Sequence, residues 1–78
     1  MERKKTTKLV ITFPTTTAAM TMDDVCAPEQ GRLIPIPREI SGGCGLAWCA
    51  KPDDETTLLE IMADNHIVYQ EKRLLELY

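Results

Sequence analysis

The chain is poor in the residues from which self-sufficient active sites are usually built: one histidine, three cysteines and four glycines in 78 residues. With His66 the only imidazole and no base next to any cysteine in sequence, a paired Cys–His nucleophile is not indicated. The cysteines are odd in number and contain no C-x-x-C, which argues against a disulfide framework and suits a reducing cytoplasm. Long apolar runs are missing too. The basic cluster Glu2-Arg3-Lys4-Lys5 is not followed by the apolar stretch that a signal peptide or membrane anchor needs. There is no excess of positive charge, the formal net charge being -3, so neither nucleic acid nor an anionic membrane is an expected partner. No internal repeat or cofactor-binding motif emerges, and no cofactor is expected. The length allows one small domain with a modest core. Residues 1–7 are expected to form a disordered basic tail and residues 8–78 the domain.

What is present is a clear succession of short elements. Lys8 to Phe13 alternates, with Leu9, Ile11 and Phe13 on one face and Val10 among polar neighbours on the other, a strand that Pro14 ends. Thr15-Thr16-Thr17 offers hydroxyl caps to a helix from about Thr16 to Ala27, with Ala18, Met22, Val25 and Cys26 as its apolar stripe. Cys26 therefore reads as a packing residue. Arg32 to Ile36 is a second strand. Pro35 and Pro37, two residues apart, remove N–H donors along one side only, which fits an edge strand. Leu46, Trp48 and Ala50 face one way in a third strand, and Ala47 and Cys49 the other. Asp53-Asp54-Glu55 opens a second helix that buries Leu58, Leu59, Ile61 and Met62. Asn65 suits the left-handed residue after that helix, and Ile67-Val68-Tyr69 begins a last strand. The order βαββαβ is the ferredoxin-like α+β arrangement, a four-stranded antiparallel sheet in order 4-1-3-2 with both helices on one face.

The segment with the most chemistry in it is Pro35 to Trp48, where three of the four glycines, Gly42, Gly43 and Gly45, flank Cys44. Glycine removes bulk and lets backbone N–H groups turn toward an anion, which would leave a thiolate reachable and stabilised. In the expected topology the hairpin carrying Cys44 lies at the same end of the sheet as the Thr15-Thr16 helix N-terminus, whose free N–H groups favour negative charge. Arg38 and Ser41 stand on the arm of the hairpin before the cysteine. Against this stands a plainer reading. Cys44 can be a small residue that fits a glycine-rich hairpin, Arg38 and Glu39 can pair with each other or with water, Trp48 can be a core residue, and His66 can be a surface residue at a helix C-terminus.

The segments TTTAAM and GRLIPIPREISGGCGLAW, with the helix-strand pattern after Pro52, resemble a family of small bacterial and archaeal proteins, the putative selenium/sulfur carrier protein-like family. The resemblance covers about Lys8 to Tyr69. It implies a compact cytoplasmic domain that holds sulfur or selenium on a cysteine as a persulfide or selenosulfide. The cargo would pass between enzymes such as a desulfurase-like aminotransferase and a selenophosphate-forming synthetase. The motif's cysteine corresponds to Cys44, and the residues around it to Arg38, Ser41, Gly42, Gly43 and Gly45. The chain departs from the pattern in carrying Cys26 and in its polar, then leucine-rich end from Gln70 to Tyr78.

A carrier needs a protruding thiolate and a docking surface, whereas an enzyme would add a positioned base and a pocket; the residues present fit a carrier better. Two other classes stay open. One is a non-catalytic interaction module that docks through its sheet edges with a structural Cys44; small size and two edges are compatible with a homodimer. The other is a soft-metal domain. Cys44 and Cys49 would lie about 16 Å apart along an extended strand, which disfavours a disulfide or a two-cysteine metal site unless the hairpin folds back.

Overall fold

The computed structural model describes residues 6–38, 40 and 45–77. The elements run β1 (Thr6–Thr12), α1 (Thr16–Val25), β2 (Arg32–Pro35), β3 (Leu46–Ala50), α2 (Glu55–Asp64) and β4 (Glu71–Leu77), with short 3-10 turns at Pro28–Gln30 and Pro52–Asp54. The four strands form one antiparallel sheet in the order β2-β3-β1-β4. Taken from the opposite edge this is 4-1-3-2, the order expected of the βαββαβ pattern. β2 lies at an edge, as its prolines require. The Ile36 N–H donates to the Gly45 carbonyl across the hairpin at 3.0 Å. Pro35 and Pro37 alternate with it, and so their missing donors fall on the outer side.

Strand alternation divides the apolar residues into two clusters, one on each face. The larger joins Leu9, Ile11 and Phe13 with Trp48 and Ala50, and receives Ala19 and Met22 from α1 and Leu58 and Met62 from α2. Both helices thus cover the same face. On the other face Val10 and Ala47 are buried beneath Ile40, with Ile34, Ile36 and Leu75 packed around them. The sequence pattern left Val10 among polar neighbours; the structure instead covers it with the segment that follows β2.

The element ends differ in informative ways. β1 starts at Thr6, because Thr6 and Thr7, assigned to the tail by sequence, pair with Leu77 and Glu76. α1 stops at Val25, and its buried residues are Ala19 and Met22, while Val25 is exposed and Ala18 and Cys26 are half-buried. The last strand begins at Glu71 and not at Ile67, so the polar stretch through Arg73 is strand after all. It is an edge strand, and its Lys72 ammonium is paired with the Glu55 carboxylate at the start of α2. That contact gives a polar residue a reason to occupy the helix-covered face, and it raises the Lys72 pKa by hydrogen bonding to Glu55. The left-handed residue after α2 is His66, at φ 56°, and not Asn65, whose side-chain amide donates to the Ile61 carbonyl at 2.9 Å.

Candidate functional site

Of the residues that the sequence singles out, Cys44, Ser41, Gly42 and Gly43 lie outside the described residues. Their described neighbours define the frame. Gly45 is exposed, holds φ at +87° and closes the hairpin by accepting the Ile36 N–H. On the other arm Pro37 and Ile40 form a tight turn, the Ile40 N–H donating to the Pro37 carbonyl at 3.0 Å. Arg38 is exposed within that turn. The turn is anchored on the helix-free face, since Ile36 and Ile40 pack against Val10 and Ala47 there.

The helix N-terminus is built as its sequence suggests. Thr15 is extended at φ -138°, and its side-chain oxygen accepts the Ala18 N–H at 3.1 Å, which satisfies one of the free donors of the first turn. Thr15 and Thr16 are both exposed. The register Thr12↔Ala47 and Thr12↔Glu71 brings the end of β1 beside the start of β3 and the start of β4. The start of α1, the opening of β3 after Gly45 and the chain after α2 therefore share one end of the sheet. There Thr15, Thr17 and Thr21 line a surface cavity of about 420 Å³ together with Asn65, His66 and Val68. No hydrogen bond or ion pair joins Arg38 to Thr15 or Thr16. These residues belong to segments on opposite faces of the sheet.

The two described cysteines are free thiols of different kinds. Cys26, at the C-terminal cap of α1, packs against the main core; burial, and then the neighbouring Asp23 carboxylate, raise its pKa above the ordinary thiol value. A thiol held protonated in this way is a poor nucleophile. Cys49 sits in β3 on the helix-free face, paired with Val10 on one side and Arg32 on the other. Trp48 is core: it is 1% exposed, and its indole N–H donates to the Gln30 carbonyl at 3.1 Å. Gln30 also accepts the Ala27 N–H at 2.7 Å through its side-chain oxygen. These bonds fasten the turn between α1 and β2 to the sheet.

Sequence reasoning missed a second feature. Lys8, Arg32 and Lys51 gather around Cys49 at a surface cavity of about 610 Å³ whose walls include Ile34, Pro35 and Pro37. The alternation of β1 and β3 contains the signal for it, since Lys8 and Lys51 flank the Leu9↔Ala50 pair, but only the register shows that the cations meet. Among the described residues no group of three histidine, cysteine or acidic side chains is placed to hold a metal, and no helix is long and apolar enough to cross a membrane.

No curated protein and no solved structure matches the chain. A family model described as Putative Se/S carrier protein-like matches residues 8–72, a span that contains every strand-forming residue from Lys8 through the start of β4 and the whole glycine-rich segment. By that match the chain belongs to the Se/S carrier protein-like family.

Proposed function

We propose that this protein is a sulfur or selenium carrier that holds its cargo on Cys44 as a persulfide or selenosulfide. The observation that carries the reading is the family match across residues 8–72, within which Cys44 stands between Gly43 and Gly45. The chemistry is a balanced transfer. The Cys44 thiolate attacks the outer sulfur of a donor enzyme's persulfide, a new S–S bond forms, the old one breaks, and the donor cysteine leaves as thiolate. No external oxidant or reductant is needed. Release to an acceptor is the same step in reverse, and a donor of selenium in the same formal state serves equally. A desulfurase-like aminotransferase is the fitting donor and a selenophosphate-forming synthetase the fitting acceptor, with the exchange taking place in the cytoplasm.

The surroundings of the motif support this assignment over the other cysteines. Cys26 is held protonated by burial and by Asp23. Cys49 lies within a paired strand. Gly45 presents no side chain beside Cys44, and a Cβ built there would meet nothing within 4 Å among the described residues.

The test is mass spectrometry after incubation with a cysteine desulfurase and cysteine. The wild-type protein and the Cys26→Ser and Cys49→Ser variants are expected to gain one sulfur atom, and Cys44→Ser none. Gain of sulfur by Cys44→Ser would overturn the assignment. Alkylation of Cys44 against pH is expected to show a midpoint below the free-cysteine value of about 8.5, and a midpoint at that value would remove the case for an activated thiolate.

A further inference from the structure

On the helix-free face three cations, Lys8, Arg32 and Lys51, form no ion pair with any other described residue. Lys8 precedes Leu9 and Lys51 follows Ala50, and the Cα atoms of Leu9 and Ala50 are paired. Lys51 keeps an extended backbone at φ -74° and ψ 141°, so alternation continues through it and places both lysines on the face opposite Leu9 and Ala50. Arg32 is the cross-strand partner of Cys49 on that same face. Like charges facing each other across a strand pair are destabilising. Here they converge on a single cavity where Glu29 is the one carboxylate among the described residues of its walls. Among the described residues none of Lys8, Arg32 and Lys51 forms an ion pair. A chain of net charge -3 thus concentrates positive potential at one concave place.

We infer that this cavity binds a small dianion of phosphoryl chemistry, gripped by Lys8, Arg32 and Lys51 beside the Cys49 thiol. Its volume of about 610 Å³ lies within the range typical of small-molecule sites, about 300–1,000 Å³, and exceeds what a bare phosphate fills. Ile34, Pro35 and Pro37 supply apolar wall for an organic portion. A guanidinium offers a fork of donors to a phosphoryl group, and the two ammonium groups add point charges. Gly31 is among the lining residues, and the chain there runs close against β3: a Cβ would stand 2.5 Å from the Cys49 carbonyl oxygen and 2.6 Å from the Trp48 indole nitrogen. The site does not use Cys44, so its fate and that of the carrier reading are separable.

Cys49 reports on the cavity from within. Labelling with anionic iodoacetate and with neutral iodoacetamide, at fixed ionic strength, gives a charge preference for each cysteine, and peptide fragmentation separates Cys49 from Cys44. The iodoacetate-to-iodoacetamide rate ratio is expected to be at least fivefold higher at Cys49 than at Cys26, which has Asp23 beside it. That ratio should fall at least threefold in Lys8→Gln/Lys51→Gln. Phenyl phosphate should slow Cys49 labelling in the wild-type protein at concentrations tenfold below those needed with inorganic phosphate. Equal potency of the two would assign the site to free phosphate alone, with the cationic grip upheld and the apolar wall idle. Failure of both to protect Cys49 beyond sodium chloride of equal ionic strength overturns the proposal, whatever the variants do. Cys44→Ser is expected to leave every one of these readings unchanged.

Discussion

Gly31 and Gly45 both hold positive φ, at +128° and +87°, yet they do so for different reasons. At Gly31 a side chain has no room, because the Cys49 carbonyl and the Trp48 ring occupy the place of its Cβ. At Gly45 no described residue stands in the way, and the backbone conformation is what disfavours another residue. Gly31→Ala is therefore expected to cost on the order of 3 kcal/mol, the sum of backbone strain and a displaced Trp48. Gly45→Ala should cost about 1 kcal/mol. Urea denaturation of both variants checks the difference, and equal losses would show that the Gly31 contact with Trp48 is not limiting. Cys26 makes a pH prediction. Its folded-state pKa is raised, so the unfolded chain loses the thiol proton first, and the stability attached to the neutral thiol is present below the free-cysteine value of about 8.5 and lost as pH rises through the folded value. Comparing wild type with Cys26→Ala, the difference in stability should be flat below about pH 8.5 and shift against the wild type above it. A difference that stays flat into the alkaline range would show that the thiol is not held protonated.

Among the elements, the segment from Ile36 to Ile40 is the least expected. It acts as a lid on the sheet, with Ile40 buried over Val10 and Ala47. Ile40→Ala should cost about 2–4 kcal/mol, as for an aliphatic residue in a packed core, in place of the few tenths expected of a surface loop. Loss of less than about 0.5 kcal/mol would mean that the segment does not cover Val10. The contrast shows what the sequence can reveal. β1, β2 and β3, with their facing residues, were legible because alternation and the spacing of Pro35 and Pro37 are local signals. The cover over Val10 was not, since Ile36 and Ile40 meet Val10, more than twenty positions earlier in the chain, only once the sheet is assembled. The start of β4 failed for a similar reason: Lys72 looks like loop until Glu55 of α2 is placed beside it. The candidate site divides along the same line. Cys44 and its glycines stand out as a motif, and the Thr15 cap follows from its residue type. The cationic cavity exists only in the register between strands.

On the scale of the whole molecule the sheet has two unlike edges. Pro35 and Pro37 blunt the β2 edge, whereas β4 offers seven residues without a proline, and no described strand pairs with its outer side. Exposed edges of this length pair unless something prevents it. β4 reads Glu71-Lys72-Arg73-Leu74-Leu75-Glu76-Leu77, and antiparallel pairing of two copies centred on Leu74 would set Lys72 of each opposite Glu76 of the other. Leu74, 58% exposed in one copy, would meet its counterpart at the two-fold axis. Self-association through β4 is the expected outcome, seen as concentration-dependent dimer in sedimentation equilibrium. Because Glu76 and Lys72 are opposed in that register, Glu76→Lys should weaken the dimer at least tenfold by placing like charges face to face. The exchanged variant Lys72→Glu/Glu76→Lys should restore most of it. A wild-type protein that stays monomeric into the millimolar range, or a Glu76→Lys variant that dimerises as well as wild type, would rule out this pairing and leave β4 as an edge kept single by its charges.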